Sequence, residues 1–263
     1  MQVQAKKSLG QNFLRDEAVL EKIVESADLK SDDFVIEIGP GEGVLTEKLS
    51  KKGGKVLAIE LDDRLIPILN DKFRNKKNVE IFHGDILKIN LNEFFSKHNM
   101  QDTRYKVVAN LPYYITSPII RYFLENENHP SEMILMVQKE VAQRIVAESG
   151  EMSILAVAVQ YYAKAEYLFT VSKDAFEPAP KVDSAVIKIS EINNDKSEDV
   201  KKFFQIVRTG FSSKRKTLAN NLASSFQKDK KEIENILEEM SFSKMVRAQE
   251  LSVEDWKKIQ KYF

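Results

Sequence analysis

Asp33-Phe34-Val35-Ile36-Glu37-Ile38-Gly39-Pro40-Gly41-Glu42-Gly43 is an apolar run broken by Glu37 that ends in three glycines at alternate positions, and Val44 to Lys52 continues with helical spacing. Strand, glycine turn, helix is the opening unit of a doubly wound α/β sheet, where small residues let the backbone approach a ligand at the strand's carboxyl end. The spacing bears on which ligand. A dinucleotide fingerprint, G-x-G-x-x-G, requires glycine at position 44, which is Val44. Glu37 and Glu42 flank the turn, where they oppose a pyrophosphate and suit a cationic sulfonium with its amino-acid ammonium. The loop therefore favours S-adenosylmethionine over NAD. Acidic glycine turns also serve as plain strand–helix connections, so the flanking segments have to decide.

Those segments repeat the pattern. A second strand, Lys55 to Ile59, ends in Glu60, about 20 residues beyond Gly39, where a carboxylate can hold a ribose diol. Asp62 to Phe73 reads as a helix interrupted by Pro67, and Val79 to Phe82 is a third strand leading to Asp85, placed to accept from a cofactor's adenine amine with Ile86 and Leu87 beside the ring. The fourth strand, Lys106 to Ala109, delivers Asn110-Leu111-Pro112-Tyr113. That tetrapeptide reads either as a strand-terminating turn or as a holder for an amino-bearing base. In the second reading the Asn110 side-chain oxygen and the Leu111 carbonyl, directed by Pro112, accept from an exocyclic amine while Tyr113 lies on the base. Holding both amine hydrogens directs the nitrogen lone pair at an electrophile, which is the chemistry of methylating adenine N6. Four consecutive strand ends thus carry Gly39, Glu60, Asp85 and Asn110, and in an open parallel sheet such ends line one crevice.

The rest of the chain surrounds this frame. Lys6-Lys7-Ser8-Leu9-Gly10-Gln11-Asn12-Phe13-Leu14 is a basic, amide-bearing segment, either a frayed terminus or a lid over a polar ligand, and Asp16 caps a helix reaching Ala27. Ser117 to Leu124 is a helix, Met133 to Val137 a fifth strand, Glu140 to Ala147 and Ser153 to Ala163 helices, and Ala165 to Val171 a strand. Phe176-Glu177-Pro178-Ala179-Pro180-Lys181-Val182-Asp183-Ser184 is a proline-stiffened loop before the alternating strand Ala185 to Ile189. Phe176 reads equally as a second stacking surface opposite Tyr113 or as a loop aromatic tucked into the core. The composition turns polar near Glu191, and only helical patterns follow to Phe263, so a boundary is expected there. In this tail Arg208, Lys214, Arg215 and Lys216 stand among hydroxyls and amides with no acid from 208 to 221, which suits either a solvated helix face or, with Lys6 and Lys7, phosphate contacts.

Composition narrows the classes. With 43% hydrophobic residues in 263 the chain is globular, and 40 basic against 40 acidic residues gives no net charge to indicate a nucleic-acid partner. The absence of cysteine excludes disulfides and thiolate metal sites, and His83, His98 and His129 are scattered, so no metal is expected. No apolar run has the length to cross a bilayer and the N-terminus lacks an apolar signal core, so a soluble, cytoplasmic protein is expected.

Five blocks together resemble the small-subunit ribosomal RNA adenine dimethyltransferase family: Lys7 to Leu14, Glu37 to Gly43, Asn110 to Tyr113, Phe176 to Ser184 and Phe211 to Asn221. The resemblance implies a Rossmann-like S-adenosylmethionine-dependent methyltransferase domain over 1–190 and a small helical rRNA-binding domain over 191–263. It implies a cofactor site at Asn12, Leu14, Gly39, Gly41, Glu60, Asp85 and Asn110, with Tyr113 and Phe176 sandwiching the target adenine. The implied reaction is N6,N6-dimethylation of two adjacent adenosines near the 3′ end of small-subunit rRNA, on an immature 30S-type particle and by a monomer. Three alternatives stand beside it. A large-subunit rRNA adenine methyltransferase of the antibiotic-resistance type shares fold and motif, though the blocks at 176–184 and 211–221 favour the small-subunit family. A mainly non-catalytic ribosome assembly factor is disfavoured by an intact cofactor constellation, and an NAD-dependent oxidoreductase by the glycine spacing.

Overall fold

The computed structural model describes residues 4–6, 9–97, 104–193 and 198–263. The chain divides into two compact units, Met1–Ala142 with Ala163–Asn194 and Gln143–Tyr162 with Asp195–Phe263. The sequence reading places one boundary near residue 191, whereas the chain passes between the units after Ala142, Tyr162 and Asn194, so that 143–162 belong with the helical unit. The reason is local: Met152, Ala156 and Val157 are buried in the same cluster as Phe203, Ile206, Leu218 and Trp256.

In the first unit the strands are β1 (Phe13–Leu14), β2 (Phe34–Ile38), β3 (Lys55–Glu60), β4 (Val79–His83), β5 (Tyr105–Asn110), β6 (Glu132–Gln138), β7 (Lys164–Val171), β8 (Phe176–Glu177) and β9 (Ser184–Ser190). Its helices are α1 (Glu17–Ser26), α2 (Val44–Lys52), α3 (Ile66–Phe73), α4 (Leu91–Lys97), α5 (Thr116–Glu125) and α6 (Lys139–Ile145), the last running into the second unit. Seven strands form one sheet in the order β4-β3-β2-β5-β6-β9-β7, parallel from β4 to β6 and antiparallel where β9 meets β6 and β7. The chain winds outward from β2 through β3 to β4, then returns to place β5 on the other side of β2. The β2/β5 boundary is therefore the topological switch point, where open α/β sheets leave a crevice at the carboxyl ends. β2 is buried along its length, as a central parallel strand covered on both faces requires, and Glu37 is its one charged residue.

One local reading changes. Pro67 does not interrupt a helix from residue 62: α3 begins at Ile66 and the proline sits in its first turn, where its missing N–H costs no hydrogen bond. The Asp16 cap holds, its carboxylate accepting from the Ala18 and Val19 amides. β1 and α4 have no counterpart in the sequence reading. β1 is two residues long and exists through antiparallel pairing with β8, Leu14 opposite Phe176.

The second unit comprises α7 (Ile154–Tyr162), α8 (Glu198–Gly210), α9 (Leu218–Phe226), α10 (Lys230–Glu239) and α11 (Val253–Gln260). Its all-helical tail matches the expectation.

Candidate active site

β2 ends at the glycine turn, whose three glycines all adopt positive φ, +65° at Gly39, +58° at Gly41 and +73° at Gly43. The turn closes back on the next strand: Gly39 donates its N–H to the Ile59 carbonyl, and Gly41 donates to Glu60 Oε2 at 3.1 Å. Glu60 is almost fully buried, and its Oε1 accepts from the Asp62 amide at 2.8 Å. Burial pushes its carboxyl up, against the backbone donors that pull it down. Each oxygen keeps a further lone pair, so the group can still accept two hydroxyl donors.

One cavity, with about 1110 Å³ of empty space including its open mouth, is lined by Asn12, Leu14, Gly39, Gly41, Glu60, Asp85, Asn110, Leu111, Pro112, Tyr113 and Phe176. The four successive strand ends thus meet around a single space, with the segment before α1 as part of the wall. Asp85 Oδ1 accepts from the Leu87 amide at 3.1 Å, leaving Oδ2 with a distant Lys88 at 3.7 Å. Asn110 is half-buried, and its Nδ2 donates to the Asn12 carbonyl at 3.4 Å. That bond occupies the donor end of the amide and leaves Oδ1 as an acceptor. Leu111 is anchored through its N–H to the Met136 carbonyl.

Tyr113 and Phe176 both reach the cavity from different elements. The Tyr113 hydroxyl hydrogen-bonds Ser184 Oγ at 2.8 Å, fixing the ring against β9. Phe176 combines the two sequence readings: only 5% exposed, it packs with Leu14, Met136 and Val186 while still lining the cavity.

The acidic flanks differ from each other. Glu42 pairs with Arg15, so its charge is compensated within the protein rather than offered to a ligand. Arg15 is placed for this by β1, its N–H donating to the Ala175 carbonyl at 2.8 Å. Glu37 lines the cavity, is 2% exposed, and its Oε2 has no hydrogen-bond partner among the described residues. Burial pushes this carboxyl up to about 8.

A further network went unseen in the sequence. Gln11 Nε2 donates to Asp62 Oδ2 at 2.8 Å, Arg64 grips both Asp62 oxygens at 2.9 and 2.6 Å, and the Lys6 amide donates to Gln11 Oε1 at 2.7 Å. Arg64 holds the Asp62 carboxyl far below the usual range. The result ties the opening segment to the end of β3. The only available signal was a second acid two residues after Glu60.

Lys6 is exposed, and Lys7 lies outside the described residues. Arg208, Lys214, Arg215 and Lys216 belong to the helical unit, not to the cavity wall, and all four are exposed with no ion pair among the described residues. Within the block at 211–221, Asn221 has a structural duty: nearly buried, it donates to the Gly210 carbonyl at 2.6 Å and to the Ser213 carbonyl at 3.1 Å.

Residues 2–262 match the family model described as ribosomal RNA adenine dimethylase. The chain belongs to that family. The ribosomal RNA small subunit methyltransferase A of Dehalococcoides mccartyi (strain CBDB1) is 46% identical, over 98% of this chain and 88% of that one. Its namesake from Ligilactobacillus salivarius (strain UCC118) is 43% identical, over 95% of this chain and 87% of the relative. Among solved structures, a dimethyladenosine transferase from Plasmodium falciparum superposes with TM-score 0.77 at 27% identity, over 94% of this chain and 95% of that one. The 23S rRNA methyltransferase ErmE superposes with TM-score 0.76 at 25% identity, over 95% and 98%. This member of the dimethylase family thus shares its fold with a dimethyladenosine transferase and with a 23S rRNA methyltransferase.

Proposed function

We propose that this chain transfers methyl groups from S-adenosylmethionine to N6 of two adjacent adenosines near the 3′ end of small-subunit rRNA, forming N6,N6-dimethyladenosine. The observation that carries the reading is the convergence of Gly39, Glu60, Asp85 and Asn110 on one cavity at the sheet's switch point. Two features of the lining support the cofactor reading. A Cβ at Gly39 would enter open space, as at a backbone that a ligand approaches closely, and the Glu37 Oε2, without a partner among the described residues, offers a hydrogen-bonding atom to a ligand. S-adenosylmethionine supplies the electrophilic methyl group.

The protein's own part is positioning. Glu60 accepts from the ribose hydroxyls, Asp85 from the cofactor's adenine amine, and Asn12 and Leu14 close the wall from the opening segment. Tyr113 and Phe176 bracket the extruded target base, while Asn110 Oδ1 and the Leu111 carbonyl accept from its amine and fix the lone pair's direction. No side-chain base is required, because the alkylated amine is acidic and its proton passes to water. Alignment and fixed dipoles in place of water account for the rate. Methylating twice requires that the second round proceed with a single amine hydrogen held.

The fold alone does not assign the subunit, since a 23S rRNA methyltransferase superposes as well as a dimethyladenosine transferase does. The relatives above 40% identity are named for the small subunit, and an immature 30S-type particle, met by a cytoplasmic monomer, is the substrate proposed here. Incubation with labelled S-adenosylmethionine and unmethylated small or large subunits, followed by mapping of the modified nucleotide, tests it. Asn110→Ala is expected to lower methyl transfer by at least about 100-fold, as when one preorganised polar contact is removed, with subunit binding retained. Equal loss of binding would assign Asn110 a structural role.

A further inference from the structure

Tyr114 follows the residue that stacks on the target base and is the most exposed aromatic side chain among the described residues, at 57%. It stands on the short helical turn Tyr113–Ile115 and lines the same cavity. Exposure alone would make it an ordinary surface residue. Three further features set it apart. One edge of its ring is backed by Gly10, where a Cβ would come within 3.3 Å of Cδ1 and 3.4 Å of Cε1. Its hydroxyl makes no hydrogen bond among the described residues, whereas the Tyr113 hydroxyl is tied to Ser184. The backing glycine follows Leu9, whose N–H donates to the carbonyl of the exposed Lys6, so the segment that backs the ring also carries an exposed cation.

An exposed aromatic surface backed by a segment that carries an exposed lysine is a combination that holds an unpaired nucleotide, by stacking and phosphate attraction. The target adenosine has to leave its stack to enter the cavity, and its neighbour then loses a stacking partner. We infer that Tyr114 is a stacking platform for the nucleotide next to the target adenosine, holding it at the cavity mouth while the target base lies between Tyr113 and Phe176. The inference rests on the methyltransferase reading above and adds to it a contact outside the target pocket. Because the two substrates are neighbours, the same platform would receive one adenosine while the other reacts.

The test is methylation kinetics of the full chain on unmethylated small subunits, with S-adenosylmethionine affinity measured separately by calorimetry. Tyr114→Ala is expected to raise KM for the subunit about 5- to 150-fold, the range for losing one base–aromatic stack, with cofactor Kd and thermal stability unchanged. Tyr114→Phe should stay within about twofold of the wild type. A Tyr114→Ala enzyme with wild-type KM would overturn the inference while leaving the methyltransferase reading intact. Equal impairment of the Ala and Phe variants would also overturn it, by assigning the effect to the hydroxyl, and so would a parallel rise in cofactor Kd. A wild-type chain that methylates no small-subunit adenosine would overturn the reading itself and this inference with it.

Discussion

Glu37 is a carboxyl group held out of water with no cation bonded to it among the described residues, and the energetic consequence is a preference for its proton. Its pKa rises from the ordinary 4.5 to about 8, chiefly by burial, with the Glu60 charge adding to the shift and the Thr46 hydroxyl opposing it. The folded chain therefore binds a proton that the unfolded chain releases, and stability falls as pH climbs from about 4.5 towards 8. Glu37→Gln removes this dependence. Its Tm relative to the wild type is expected to be at least about 3 °C more favourable at pH 8.5 than at pH 5, measured by thermal denaturation without cofactor; parallel shifts at both pH values would refute the assignment. At this scale the sequence exposes residues whose type is odd for their place, such as an acid inside an apolar strand or an amide before Leu-Pro-Tyr. It hides those defined by a distant partner. Asp62 and Ser184 matter through Gln11 and Tyr113, which lie 51 and 71 positions away.

The glycine turn shows how one element divides its duties among like residues. Gly39 and Gly43 have the same left-handed backbone but different surroundings: a Cβ at Gly39 meets nothing within 4 Å, and one at Gly43 would lie 2.7 Å from Phe73 Cε2 and 2.9 Å from Leu69 Cδ2. Phe73 and Leu69 are buried with Leu65 and have little room to retreat. Gly43→Ala is expected to lower Tm by roughly 4–10 °C through overpacking and backbone strain. Gly39→Ala should lower it by only about 2–4 °C, from strain alone, yet weaken S-adenosylmethionine binding at least about tenfold by intruding on the cavity. Calorimetry and thermal melts of both variants check this, and equal cofactor affinity in Gly39→Ala and the wild type would sink it. The main strands were readable because each is a run of β-branched and apolar residues ending in a turn. β1 was not, because two residues have no periodicity, and its existence depends on pairing with β8. α4 was passed over in a stretch where polar residues interrupt its Leu91, Phe94, Phe95 stripe.

For the molecule as a whole, neutrality conceals a division of charge. Arg208, Lys214, Arg215 and Lys216 are exposed and unpaired among the described residues, while many other lysines, such as Lys228, Lys230 and Lys257, face glutamates. If the four meet rRNA phosphates, replacing all of them with glutamine should flatten the log–log salt dependence of subunit binding by up to about 3 to 4, with cofactor affinity unaffected. Filter binding between 50 and 200 mM salt measures this, and an unchanged slope would leave them as a solvated surface. Strand order of type, the glycine turn, the polar residue at each strand end and the helical tail were determined by sequence alone, because hydrophobic period and turn chemistry are local. The tertiary structure decided the rest: that four strand ends enclose one cavity, that Arg15 cancels Glu42 while Glu37 has no ion pair among the described residues, and that residues 143–162 join the helical unit. Each of these is a relation between segments far apart in the chain, fixed by which surfaces bury one another, and no local pattern carries it.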